Sequence, residues 1–97
     1  MKVNVFYTGE VHATTGKEIE TFEIDNGTSA RKLLSILIDM YGDRFRDSIM
    51  DSKSTLQSPW LKVMISVNGR DVRALGGLDK ELSDGDSFTF VTMVSGG

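Results

Sequence analysis

The sequence contains no cysteine, which removes disulfide bridges, thiolate nucleophiles and iron–sulfur ligation together. It has one histidine, His12, so no His/Cys cluster is available for zinc and metal chemistry is not expected. No apolar run approaches the roughly 20 residues that span a bilayer. The first residues, Met1-Lys2-Val3-Asn4-Val5, alternate in polarity instead of building a signal-peptide core, so the expectation is a cytoplasmic protein with no membrane partner. A basic excess is also missing. The net charge is −3, and the eleven Lys and Arg are dispersed, with Arg44 and Arg46 flanked by Asp43 and Asp47. Nucleic-acid binding depends on basic side chains neutralising phosphates, and is therefore not expected. What remains is 97 residues, 39% hydrophobic, enough for one small domain with its own core.

Signs of an autonomous enzyme are equally sparse. His12 falls in a polar stretch, Glu18, Glu20 and Glu23 read as a solvated strand set, and no nucleophile stands beside a base. Gly76-Gly77 lacks the strand-to-helix glycine pattern and the following Lys-Ser/Thr of a phosphate loop.

The hydrophobic pattern predicts an α+β fold. Lys2 to Tyr7 alternates, with Val3, Val5 and Tyr7 on one face, and Lys17 to Ile24 is rich in β-compatible residues, so the two read as a hairpin joined by a loop over Thr8 to Gly16. Thr28 or Ser29 caps a helix whose apolar positions Ala30, Leu33, Leu34, Leu37, Ile38 and Tyr41 keep helical spacing until Gly42. Residues 43–60 read as an insertion loop, in which Phe45, Ile49 and Met50 suit one further helical turn and Trp60 is expected to pack over an end of the core. Leu61 to Asn68 alternates, Asn68-Gly69 favours a type I′ turn, Arg70 to Arg73 returns, and Asp84-Gly85-Asp86 leads into a last strand from Phe88 to Val94. The order β-β-α-β-β-β suits a mixed sheet with one main helix packed across one face, the β-grasp arrangement.

The sequence closes on Val94-Ser95-Gly96-Gly97. Glycine loses most entropy on ordering and packs nothing, so this diglycine adds nothing to a fold, yet it can pass through a slot too narrow for alanine. The expected organisation is a domain over residues 1–94 and a flexible tail over residues 95–97. Together with Val67-Asn68-Gly69-Arg70 and Leu78-Asp79-Lys80-Glu81-Leu82-Ser83-Asp84-Gly85-Asp86, this ending resembles the MoaD/ThiS branch of ubiquitin-like proteins along nearly the whole chain, and also the small archaeal modifier proteins. Two features depart from the pattern. MoaD-like tails commonly carry prolines where this chain has Thr92-Met93, and the segment from Asp51 to Pro59 is longer than in compact bacterial members.

The resemblance implies a carrier whose Gly97 carboxylate is adenylated by a ubiquitin-activating-type enzyme, with ATP and magnesium used by that enzyme and no cofactor bound by the domain itself. Val94, Ser95 and Gly96 would be the grip for recognition of the tail. Conversion to a thiocarboxylate would serve sulfur transfer in molybdopterin synthesis beside the large subunit of a molybdopterin synthase. Attack on the same adenylate by a target lysine would instead give an isopeptide-linked modifier. A non-catalytic interaction domain without tail chemistry stands as the third reading, and tail composition does not separate them. For docking, strand alternation places Phe6, Met64, Val91 and Met93 together on the sheet face opposite the helix, an apolar patch suited to a partner protein.

Overall fold

Alternation in Lys2–Tyr7 produces β1, with Val3, Val5 and Tyr7 buried and Asn4 and Phe6 left partly open on the other side. The structure, a computed structural model, describes residues 1–92. After β1 come α1 (Gly9–Thr15), β2 (Ile19–Glu23), α2 (Ala30–Tyr41), α3 (Asp43–Ile49), β3 (Val63–Val67) and β4 (Arg70–Asp71). Two short 3-10 turns, Val72–Leu75 and Gly77–Asp79, precede β5 (Ser87–Thr92). The strands form one mixed sheet in the order β2-β1-β5-β3-β4, in which β1 and β5 are parallel and every other pair is antiparallel. This is the ubiquitin-like β-grasp fold.

The main helix forms for the reasons its sequence carries. Ser29 Oγ accepts a hydrogen bond from the Lys32 N–H at 3.1 Å, satisfying one orphan donor of the first turn. Ala30, Leu33, Leu34 and Leu37 make the buried stripe, and Gly42 ends the helix. That stripe packs with the inner sheet residues Val3, Val5, Ile65, Val67, Phe88 and Phe90 into one core. Aromatic contacts converge on Phe90, which stacks on Tyr7 with centroids 6.0 Å apart and meets the edges of Phe45 at 5.6 Å and Phe88 at 5.4 Å.

The Asn68-Gly69 turn is as expected, with φ of 54° and 82° at its two positions. Asn68 also donates to Asp86 Oδ1 at 2.9 Å and accepts from the Ser87 N–H at 2.9 Å, which ties the hairpin to the start of β5.

Three expectations need correction. Thr8 to Gly16 is not a hairpin loop: it holds α1, which buries Val11 in the core and packs against α3, and His12 is on that helix and half-buried. The segment read as an insertion loop begins with α3, whose Phe45 and Ile49 are fully buried, and only residues 51–60 lie outside helix and strand. Trp60 does not cover the core, since it is 78% exposed. Its N–H is taken by Ser54 Oγ at 2.7 Å and its carbonyl by the Asp51 N–H at 2.9 Å, so the backbone is anchored while the indole faces solvent.

Candidate functional site: the outer sheet face and the end of β5

The strand registers assemble the predicted docking residues. Met64 lies directly opposite Val91 across the β3/β5 ladder, and Phe6 lies beside Thr89 across the β1/β5 ladder, one diagonal step from Val91. All three apolar residues are half-buried, sharing the face with Asn4, Ser66, Ser87 and Thr89. Met93, the fourth expected member, lies outside the described residues. The structure adds Ile19, opposite Phe6 on β2 and 51% exposed, which widens the apolar strip toward the sheet edge. Its signal was present in the alternation of Ile19, Thr21 and Glu23 against Glu20 and Phe22, but a strand read from Lys17 obscured which set faced out.

At one end of this face the chain is held by a small set of hydrogen bonds. The Thr8 hydroxyl donates to the Phe90 carbonyl at 2.7 Å and accepts from the Thr92 N–H at 3.3 Å, while the Thr92 hydroxyl donates to the Thr8 carbonyl at 3.1 Å. Gly9, at φ +56°, is pressed against the same threonine: a Cβ there would collide with Thr92 Oγ1. Thr92 is the last described residue before Met93, Val94, Ser95, Gly96 and Gly97, so the tail-recognition residues and the proposed reactive carboxyl group lie outside the described residues, as does the boundary between domain and tail.

The strongest perturbation of titratable groups occurs elsewhere. Glu20 accepts from Tyr7 Oη at 2.9 Å, Tyr41 Oη at 2.5 Å and Lys17 Nζ at 2.9 Å. Burial works to raise the Glu20 carboxyl, but hydrogen bonds from Tyr41, Lys17 and Tyr7 outweigh it and hold it below its ordinary value. Burial, then the hydrogen bond to Glu20, push both tyrosines up. An acid or base working near neutrality needs a value near the operating pH, and these groups move away from it. The cluster therefore acts as a tie joining β1, β2 and the end of α2. Among the described residues no group of three or more metal-ligating side chains comes together, and no helix is long and apolar enough to cross a membrane.

A cleft of about 470 Å³ opens beside β3, between Arg31, Trp60, Val63, Ile65, Val72 and Arg73. Both arginines are engaged there. Arg31 reaches the Leu56 carbonyl at 2.7 Å and pairs with Asp79, and Arg73 pairs with Asp71 at 2.7 Å.

Known proteins give this arrangement its context. Small archaeal modifier protein 1 (SAMP1) of Haloferax volcanii superposes with a TM-score of 0.79 at 13% identity, covering 100% of both chains. Small archaeal modifier protein 1 of Methanosarcina acetivorans is 27% identical with a TM-score of 0.76, covering 99% of this chain and 96% of its own. A putative molybdopterin converting factor subunit 1 from Pyrococcus furiosus is also 27% identical, with a TM-score of 0.73 over 96% of this chain and 98% of its own. No curated protein sequence matches this one. The family model described as the ThiS family matches residues 5–97, and the chain belongs to that family.

Proposed function

We propose that this protein is a ubiquitin-like sulfur carrier whose Gly97 carboxylate is activated by adenylation. The observation that carries the reading is the extent of the ThiS family match, which runs from β1 through Gly96 and Gly97 to residue 97. The apolar strip of Phe6, Ile19, Met64 and Val91 supports it, because it crosses β1, β2, β3 and β5, with Val91 on the strand that precedes those residues, and offers a partner enzyme a docking face.

In the first step the carboxylate oxygen attacks the α-phosphorus of magnesium-bound ATP on a ubiquitin-activating-type enzyme, forming an acyl-adenylate and releasing pyrophosphate. A carboxylate resists nucleophiles, whereas the adenylate carries AMP as a good leaving group. The terminal sulfur of a persulfide then attacks the acyl carbon, AMP departs, and an acyl disulfide remains. A second thiol cleaves its S–S bond, leaving a thiocarboxylate on Gly97 and a disulfide on the donor. Delivery of that sulfur to a molybdopterin precursor, beside the large subunit of a molybdopterin synthase, is the acceptor reaction suggested by the Pyrococcus furiosus relative. Since ATP and reduced thiols are required, the reading places the protein in the cytoplasm.

A second reading has its own support in the likeness to small archaeal modifier protein 1 of Methanosarcina acetivorans. Here the ε-amine of a target lysine attacks the same adenylate, AMP leaves, and an isopeptide bond joins Gly97 to the target. The alternative of an interaction domain without tail chemistry differs in requiring neither step.

Mass spectrometry of the protein recovered from its own cells separates these readings. Oxygen replaced by sulfur at Gly97 supports sulfur carriage, and tail-derived remnants on lysines of other proteins support conjugation. Full biological activity after deletion of Gly96 and Gly97 would sink both in favour of the interaction domain.

A further inference from the structure

We propose that Thr8, Gly9 and Thr92 form a positioning clasp that fixes the end of β5 from which the reactive C-terminal residues continue, an inference that rests on the carrier reading. β1 ends at Tyr7, paired with Phe90, and the main chain then turns away into α1. β5 runs two residues further, with Val63 of β3 on one side of Thr92 and no β1 backbone on the other. The Thr8 side chain supplies the missing rung: its hydroxyl bonds the Phe90 carbonyl and receives the Thr92 N–H, while Thr92 returns a bond to the Thr8 carbonyl.

Two further observations make this more than a chance contact. Thr8 is the N-cap residue of α1, where a threonine hydroxyl ordinarily accepts from the first turn, yet its side chain makes no capping bond and is directed at β5 instead. Gly9 adopts a positive φ and gives up the space of a Cβ to the Thr92 side chain. The three positions therefore specify one another, joining residues 84 apart in sequence at the last described rung.

The consequence for the carrier chemistry is geometric. Release of the clasp leaves Val91 and Thr92 held from the β3 side alone, adds them to what an activating enzyme must hold in place, and dilutes the carboxylate at the site of attack. Docking through Phe6, Ile19 and Met64 is left in place. The clasp residues thus govern turnover, and the sheet face governs affinity.

The test uses full-length protein and a ubiquitin-activating-type enzyme encoded by the same genome, with ATP–pyrophosphate exchange as the readout and calorimetry for docking affinity. The double variant Thr8→Val with Thr92→Val should lower kcat roughly tenfold, the cost of ordering about one freed residue, with affinity unchanged. Thr8→Ser alone, which keeps the hydroxyl that bonds Phe90 and Thr92, should keep wild-type turnover. Thr8→Ala alone, which loses two of the three bonds, gives the same reading if the double variant does not fold. Unchanged kcat in the double variant or in Thr8→Ala, or a loss confined to affinity, overturns the clasp while leaving the carrier reading standing. Wild-type protein that forms no adenylate removes the carrier reading, and the clasp's role with it.

Discussion

On its inner face the sheet carries Val3, Val5, Tyr7, Ile65, Val67, Phe88 and Phe90, all removed from solvent by the helices. The same strands present Phe6, Met64 and Val91 on the outer face, half-buried and interleaved with Asn4, Ser66, Ser87 and Thr89. Both faces are apolar in part, but among the described residues only the inner one is closed by side chains in mutual contact. An inner residue is specified by the volume around it, so its replacement is felt as a cavity. An outer residue of this kind contributes little to the fold, and its apolar character makes physical sense as a surface for another protein. The difference separates the residues that make the fold from those proposed to meet a partner.

The sharpest way to break this contrast is to cut the inner face at Phe90, where the Tyr7, Phe45 and Phe88 rings converge. Phe90→Ala should cost about 3–5 kcal/mol, a large share of the stability of a domain this size, read as a lowered midpoint in urea denaturation. A midpoint close to wild type would show that the aromatic cluster is not the centre of the core.

The Glu20 tie comes next in size. Glu20→Ala leaves the buried Tyr7 hydroxyl without its partner and should cost about 1–3 kcal/mol. The pH dependence has a defined sign. Because the folded carboxyl lies below its ordinary value, the Glu20 contribution is complete above the unfolded value, about 4.3, and is lost as pH falls through the lower folded value. Thermal denaturation should therefore show a steeper acid decline for wild type than for Glu20→Gln. Parallel acid limbs would mean that Glu20 titrates alike in both states.

How far the sequence foretells such features depends on whether local pattern or tertiary contact creates them. α2 is legible because Leu33, Leu34 and Leu37 repeat at helical spacing between a serine cap and Gly42. The hairpin is legible because Asn68 and Gly69 tolerate the positive φ that the turn demands. α1 escapes because it buries only Val11, so seven mostly polar residues beginning with glycine carry no stripe, and its position depends on a threonine 84 residues away. Trp60 is misjudged for a related reason: burial of tryptophan is a tendency of the side chain, while here the backbone bonds to Ser54 and Asp51 decide where the residue stands. The period-2 alternation does bring Phe6, Met64 and Val91 to one face, because register on a sheet with one buried side is strongly specified.

That outer face supplies the remaining contrast, in which the effect on folding is small and the effect on recognition is large. Met64→Asp places a charge on a half-buried strand position opposite Val91 and should cost only about 1 kcal/mol of stability, the span over which strand preferences vary. A carboxylate in the centre of an apolar interface must be desolvated without a partner, so affinity for an activating enzyme should fall by at least tenfold. Trp60→Ala provides the opposite control. Its indole is exposed and its backbone bonds survive the substitution, so stability should stay within about 0.5 kcal/mol of wild type. Calorimetric titration of both variants against the same enzyme then separates the two surfaces. Weakened binding by Met64→Asp with Trp60→Ala unchanged assigns recognition to the outer sheet face. The reverse pattern would move recognition to the cleft beside β3 and leave the half-buried apolar strip without a role.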